Sequence, residues 1–187
     1  MPEDGCVVNL WPCIVSRVME KLEDSDRLSA WITLLQTHAA VVDALERKLE
    51  RERGIPLAWH EVLSRLIAAP DGRLRMLDLA GLVMLSKSGV TRLIDRMEEA
   101  GMVTREACAS DRRVTYAMIT AKGRGTFERT MPVFLEGVDE YFSSHLSDTD
   151  VREIRASLRK VLEGNGLWEE GRCSAPTVES VHQEAPA

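Results

Sequence analysis

Aromatic side chains are scarce in this chain: four Trp, two Tyr and three Phe among 187 residues. That scarcity argues against a single-strand nucleic-acid binder, which stacks successive bases on aromatic faces. Histidine is as thin. His38, His60, His145 and His182 lie far apart and form no H-x-x-x-H pair. No G-x-S-x-G, P-loop or G-x-G-x-x-G is present, so the usual local signatures of hydrolases, NTP binders and dinucleotide enzymes are missing. The expectation is a protein that is not an enzyme and uses no cofactor or metal. The four cysteines, Cys6, Cys13, Cys108 and Cys173, contain no C-x-x-C pair, which excludes a zinc ribbon or thioredoxin-like centre and fits a reduced, cytoplasmic chain. The N-terminus carries Glu3 and Asp4, and its apolar run is broken by Pro12, unlike a secretory signal. No stretch approaches the ~20 apolar residues of a membrane span, so no membrane partner is expected.

Negative charge is present in excess, at −6 overall, but it is unevenly placed. Residues 1–27 carry six acids and three bases, and residues 164–187 four acids and one base. Residues 28–163 are balanced at 20 of each, and within them residues 84–125 hold eight bases against five acids. The local field, not the net charge, governs an encounter with a polyanion. The acidic tails therefore do not exclude nucleic acid as a partner.

The basic stretch contains the most informative segment, Leu85 to Gly101. Val90, Leu93, Ile94 and Met97 recur at i, i+3, i+4 and i+7, the apolar stripe of a helix. Ser86 suits the N-cap and Gly101 the C-terminal stop. Ser88, Arg92, Asp95 and Glu99 face the other way, with Thr91 and Arg96 on the shoulders. Hydroxyls and cations fill the first two turns of that face and carboxylates the last. A solvated helix ordinarily prefers acids at its N-terminus, where the macrodipole is positive. The reversed order fits a helix that presents its N-terminal end to a polyanion. An ordinary solvated surface helix is the competing reading of this segment alone.

The neighbouring segments add context. Residues 1–27 read as an N-terminal extension, with a short helix near Ile14–Leu22. Residues 28–53 form a long helix free of Gly and Pro, with Trp31, Leu34, Leu35, His38, Val42, Leu45 and Leu49 along one side. At ~39 Å it outreaches a small core, so part of it is expected to pack on another subunit. Pro56 opens a second helix running to about Ala69. Pro70-Asp71-Gly72 is a turn, Arg73–Arg75 is short and extended, and Met76–Val83 is a short helix leading tightly into the next. That order is helix-turn-helix spacing. After Gly101 the period falls to 2, with strands over Val103–Cys108 and Val114–Thr120 around the polar turn Ala109–Arg113. A basic hairpin after such a helix reads as a wing, or else as a plain solvated hairpin tip. Thr120 caps a helix to about Leu146 that Pro132 is expected to bend. Ser147 and Asp150 form a capping pattern before the last helix, which Gly164 and Gly166 stop. Residues 164–187 read as a disordered tail.

In order and spacing the chain resembles the MarR family of winged helix-turn-helix regulators over roughly residues 28–163. The resemblance rests on Gly54-Ile55-Pro56, Trp59, Val62-Leu63, the run Pro70 to Met76 and Leu79-Ala80. It continues through Leu85 to Glu98, Asp111-Arg112-Arg113 and Ile119-Thr120-Ala121-Lys122-Gly123. Leu77 departs from the pattern where a polar helix-starting residue is common, and Gly81 weakens that short helix by ~1 kcal/mol. The implied fold is mainly α with a small β wing. Its parts are a dimerisation helix (28–53), a winged helix-turn-helix domain (54–122) and C-terminal dimerisation helices (123–163).

The resemblance also implies a homodimer that acts as a repressor on a pseudo-palindromic duplex operator, with a pocket for a small ligand. Ser88, Thr91 and Arg92 are then assigned to base edges or nearby phosphates, Lys87 and Arg96 to phosphates, and Arg112 and Arg113 to the wing. Asp111 pairing with Arg113 would stiffen the hairpin and leave Arg112 for the minor groove, or the two arginines exchange these roles. Trp31, His38, Trp59 and His60 lie on the helices that flank the family's pocket and suit a small aromatic or phenolic effector; plain core or interface roles compete. Two other readings stay open. Oxidation of Cys108 or Cys13 would make the protein a thiol-based redox regulator, and a winged helix can instead serve as a protein-binding adaptor.

Overall fold

The computed structural model describes residues 26–83, 87–108, 111 and 113–167. The expected helix near Ile14–Leu22, the Ser86 cap, Cys13, Arg112 and most of the C-terminal tail lie outside the described residues. Among the described residues six α-helices run in order: α1 (Asp26–Arg53), α2 (Leu57–Ala68), α3 (Met76–Leu82), α4 (Lys87–Glu99), α5 (Ala121–Tyr141) and α6 (Asp148–Gly164). Strands β1 (Arg73–Arg75), β2 (Val103–Ala107) and β3 (Thr115–Ile119) form one antiparallel sheet in the order β1-β3-β2. The fold is thus mainly helical with a small three-stranded wing sheet.

Residues 26–43 and 44–167 belong to two separate compact units. In the first, α1 starts two residues earlier than expected, and Trp31, Leu34, Leu35 and Val42 are exposed at 55, 40, 47 and 37%. By length and composition α1 is long and apolar enough to cross a membrane, which corrects the expectation that no stretch approaches a span. The cause is local: from Leu28 to Val42 there is no Asp, Glu, Lys or Arg.

The second unit carries the core. Val62, Leu63 and Leu66 of α2, Leu79 of α3, and Val90, Ile94 and Met97 of α4 are all at most 1% exposed and pack with Val103, Ala117 and Phe127. Each such burial contributes about 1.5–3 kcal/mol for a full-sized aliphatic side chain. Pro56 sits at the N-cap of α2, one position before its expected place, and offers no side-chain cap. Glu46 supplies one from α1: its Oε2 accepts the Leu57 N–H at 2.7 Å, placing a carboxylate at the positive end of α2. Lys48 is 5% exposed and reaches Glu140 at 2.9 Å, Glu136 at 3.5 Å and Glu52 at 3.6 Å. The Glu140 hydrogen bond, then the charges of Glu136, Glu140 and Glu52, push its pKa up to about 12 against desolvation. The close approach is possible because residue 137 is glycine; a Cβ there would meet Leu45 and Lys48.

Helix ends follow the local chemistry. Gly101 has φ +72°; its N–H donates to Glu98 O, and the Met102 N–H donates to Met97 O. This is a full Schellman stop with Met97 and Met102 both buried. Thr120 Oγ1 accepts the Gly123 N–H at 3.0 Å and donates toward Gly101 and Met102 carbonyls. Helix α5 continues through Pro132 to Tyr141, then gives way at Phe142 to a 3-10 turn, Ser143–His145, short of the expected Leu146. Ser147 and Asp150 form the expected capping box on α6.

His60 lies inside this core at 2% exposure. Its ring stacks on Phe127 at 5.0 Å and Phe134 at 4.6 Å, and Nδ1 is 2.9 Å from Thr130 Oγ1. That hydroxyl has a single proton to give to the Thr126 or Phe127 carbonyl, so the imidazole donates through Nδ1. Burial lowers the His60 pKa to about 4. The unfolded chain binds a proton here near pH 6.5 and the folded chain does not, so stability falls as pH drops from about 6.5 to about 4. The loss is on the order of 3 kcal/mol at most. In thermal melts across this window, His60→Gln is expected to show a shallower pH dependence than the wild type; parallel curves would assign the titration elsewhere.

Candidate nucleic-acid interface

The burial of one stripe of α4 decides what its other side presents. Val90, Leu93, Ile94 and Met97 are 0–3% exposed. At 3.6 residues per turn this sends Ser88, Thr91, Arg92 and Arg96 outward, and all four are exposed. Lys87 is the first residue of the helix. The Arg92 Nε–H donates weakly to the Ser88 carbonyl at 3.4 Å, which lays its stem along the N-terminal half. A cation and two hydroxyls thus stand on a helix end whose dipole also attracts anions.

Two carboxylates of the last turns, Asp95 and Glu98, are engaged by β2. Arg105 Nη2 is 2.7 Å from Asp95 Oδ1, and Nη1 is 2.7 Å from Glu98 Oε2. Its backbone N–H donates to Glu98 Oε1 at 2.9 Å, and Nη2 donates to the Thr91 carbonyl at 3.1 Å. One side chain thereby spans two turns of α4. Sequence reading assigned Arg105 no role. The available signal was charge order: two acids late in a helix, against its dipole, followed by an arginine in the adjoining strand.

The wing is built on β3, which pairs Leu74 and Arg105 with Ala117, and Arg75 and Glu106 with Tyr116. Arg73 lies 5.2 Å from the Tyr116 ring and 3.6 Å from Glu106. The Tyr116 hydroxyl, followed by its charge and that of Asp78, raises the pKa of Arg75. At the turn, Asp111 Oδ1 accepts the backbone N–H of Arg113 at 3.0 Å, and the Val114 N–H donates to Asp111 O at 2.9 Å. Asp111 therefore stiffens the turn through the backbone of Arg113. Between wing and helix lies a cleft of about 530 Å³, lined by Arg75, Leu77, Asp78, Thr91, Arg105 and Arg113 among others. Thr91 and Arg113 thus border one concavity with Arg75 and Arg105, while Arg92 and Arg96 are exposed along the same helix. The departure at Leu77 is 60% exposed, and a Cβ at Gly81 would meet open space.

The other site candidates fall elsewhere. Trp31 and His38 are exposed on α1, and His60 is sealed in the core. Trp59 is half-buried, and its indole N–H, itself buried, has no hydrogen-bond partner among the described residues. Cys108 follows β2, half-buried and not in a disulfide, and its N–H donates to Val114 O at 2.9 Å, closing the neck of the hairpin. Among the described residues no cluster of His, Cys, Asp and Glu could hold a metal.

Comparison with known proteins gives one consistent result. A family model described as the MarR family matches residues 53–114. The crystal structure of AbsC, a MarR family transcriptional regulator from Streptomyces coelicolor, is 33% identical, with a TM-score of 0.69 over 76% of this chain and 96% of that one. Sco3205 from the same organism, a MarR family regulator crystallised in complex with DNA, is 27% identical with a TM-score of 0.69, over 78% and 94% of the two chains. The HTH-type transcriptional regulator MhqR of Bacillus subtilis (strain 168) is 27% identical over 134 residues, 72% of this chain and 90% of its own length. With the winged helix-turn-helix core already described, these likenesses establish that the chain belongs to the MarR family of transcriptional regulators.

Proposed function

We propose that this regulator binds a pseudo-palindromic duplex operator as a homodimer, acts as a cytoplasmic repressor, and is released by a small aromatic or phenolic ligand. The observation that carries the DNA reading is the outward face of α4: Ser88, Thr91 and Arg92 on its N-terminal half, and Arg96 in its last turn, face solvent while the opposite stripe is sealed. That arrangement suits a helix N-terminus entering a major groove. Lys87 and Arg96 serve phosphates, Ser88, Thr91 and Arg92 reach base edges, and Arg112 and Arg113 bring the wing to the minor groove. The DNA-bound structure of Sco3205 supports the reading by analogy.

Arg92→Ala is expected to weaken binding to a duplex from the protein's own promoter region roughly tenfold or more, the worth of one bidentate guanine contact. Arg112→Ala combined with Arg113→Ala should weaken it sharply in the same gel-shift titration. Unchanged affinity in the double variant would remove the wing from the mechanism. If the wild-type protein binds no duplex at low salt, the adaptor reading replaces this one.

The dimer reading draws on α6, which has no buried residue, although Val151, Ile154, Leu158, Val161 and Leu162 form an apolar stripe. Val151, Leu158 and Val161 are 40, 38 and 59% exposed. The apolar side of α1 supports it independently. A contiguous apolar face of this kind marks an association surface. Sedimentation velocity should show a dimer for the wild type and a monomer for Val161→Glu combined with Leu158→Glu; a wild-type monomer at micromolar concentration would refute it.

For the effector, the buried Trp59 indole N–H, which has no partner among the described residues, supports a ligand with an acceptor group, since leaving it bare costs about 1–3 kcal/mol. A second reading has its own support in Cys108, which closes the neck of the wing. Oxidation there would add polar bulk where the hairpin is joined. Peroxide should then abolish DNA binding, reductant should restore it, and Cys108→Ser should be insensitive. Binding by the wild type that survives peroxide would end this reading.

A further inference from the structure

We infer that Arg105 is a positioning residue for duplex reading: it fixes α4 to the wing sheet so that the N-terminal half of the helix meets bases in register, without itself binding DNA. The inference rests on the proposed DNA-binding function and names how one residue of the same surface serves it. Three features carry it.

The first is how the guanidinium is spent. Arg105 holds Asp95 and Glu98 at 2.7 Å each and the Thr91 carbonyl at 3.1 Å, and its backbone N–H takes the second oxygen of Glu98. A planar fork filled by three acceptors has little left for a phosphate.

The second is leverage. Thr91 and Glu98 lie seven residues apart on α4, roughly 10 Å along its axis. A clamp at both resists rotation and sliding of the helix, where a single contact would act only as a pivot. Its base is rigid, because Arg105 is a ladder residue of β2 opposite Ala117 of β3, and Ala117 is fully buried.

The third is charge. Asp95 and Glu98 oppose the helix dipole and would repel a polyanion. If electrostatics alone mattered, removing them should tighten binding to any duplex. If they anchor the helix, removing them should cost discrimination. The two accounts differ on the selected duplex: the first tightens it along with the scramble and leaves the ratio unchanged, and the second lowers the ratio.

The test uses the full chain and a duplex that the wild-type protein selects from a random pool, with a scrambled duplex of equal length and composition as control. Fluorescence anisotropy measures both affinities over a range of salt. The variants are Arg105→Lys, which keeps the charge and loses the fork, Arg105→Gln, and Asp95→Asn combined with Glu98→Gln. All three are expected to lower the ratio of selected to scrambled affinity by about tenfold, the scale of one lost base contact. The Asp95/Glu98 double variant is expected to bind the scramble as well as or better than the wild type. The salt slope of Arg105→Gln should match that of the wild type, because no phosphate contact is lost.

A ratio within twofold of the wild type in Arg105→Lys and in the double variant overturns the inference. So does a slope reduced by about 0.9 in Arg105→Gln, which would make Arg105 a phosphate ligand. Should Arg105→Gln fail to fold, the other two variants decide. A wild type that selects no duplex fails the DNA-binding reading and this inference with it; a wild type that selects one, with indifferent variants, fails the inference alone.

Discussion

Four side chains on one side of α4 govern how the surface is laid out. Val90, Leu93, Ile94 and Met97 are sealed against α2, α3 and the sheet, and rotating the helix by one residue, ~100°, would expose part of that stripe and bury Arg92 or Asp95. The cost of either error is several kcal/mol, comparable to the whole stability of a small domain. The outward set is therefore fixed by what lies underneath. Gly101 completes the constraint: its left-handed backbone ends the helix and turns Met102 and Val103 back into the same core, which starts β2 directly and places Arg105 within reach of α4.

Seen this way, the unusual charge order of α4 has a second cause. Acids in the last turns were read from the sequence as the complement of a cationic N-terminus. In the structure Asp95 and Glu98 are the anchor points of Arg105. Isolated surface ion pairs contribute little, ~0–1 kcal/mol. Here two carboxylates and a carbonyl share one planar donor, so ordering a single side chain serves several contacts. The negative end of the helix is thereby joined to the wing while the opposite end stays open to solvent.

What was legible follows from how local the determining interactions are. The stripe of α4, the stop at Gly101, the Thr120 cap and the Ser147–Asp150 box all rest on residues within a few positions of one another. So does the hairpin, whose strands are one residue (β2) and two residues (β3) shorter than the alternation predicts. Less legible were contacts between distant elements. Glu46 caps Leu57 across eleven positions and His60 meets Thr130 across seventy. The period of α2 cannot distinguish a histidine sealed between Phe127 and Phe134 from one lining a pocket. Arg105 was missed because a strand arginine reads as solvated until its neighbours are known. The recognition-face residues could be named from the helical period, but their contacts with DNA stand as a proposal.

The remaining constraint is one that a single chain does not meet. α6 buries none of its residues, and propensity alone leaves a helix of this length marginal in water. Its apolar stripe and that of α1 would be covered in the proposed homodimer, and the same association would set the distance between the two copies of α4. A duplex presents equivalent groove edges about one turn, roughly 34–36 Å, apart, so the two helices read an operator together only when that distance fits. A ligand that favours another separation would lower affinity without touching any base-reading residue. In that scheme Arg105 and the apolar faces have complementary roles. The clamp would fix the angle of each helix within its subunit, and the proposed association surface the spacing between subunits. Regulation of that kind would act on the spacing, because the clamp is local to one subunit and the association surface would be shared by both.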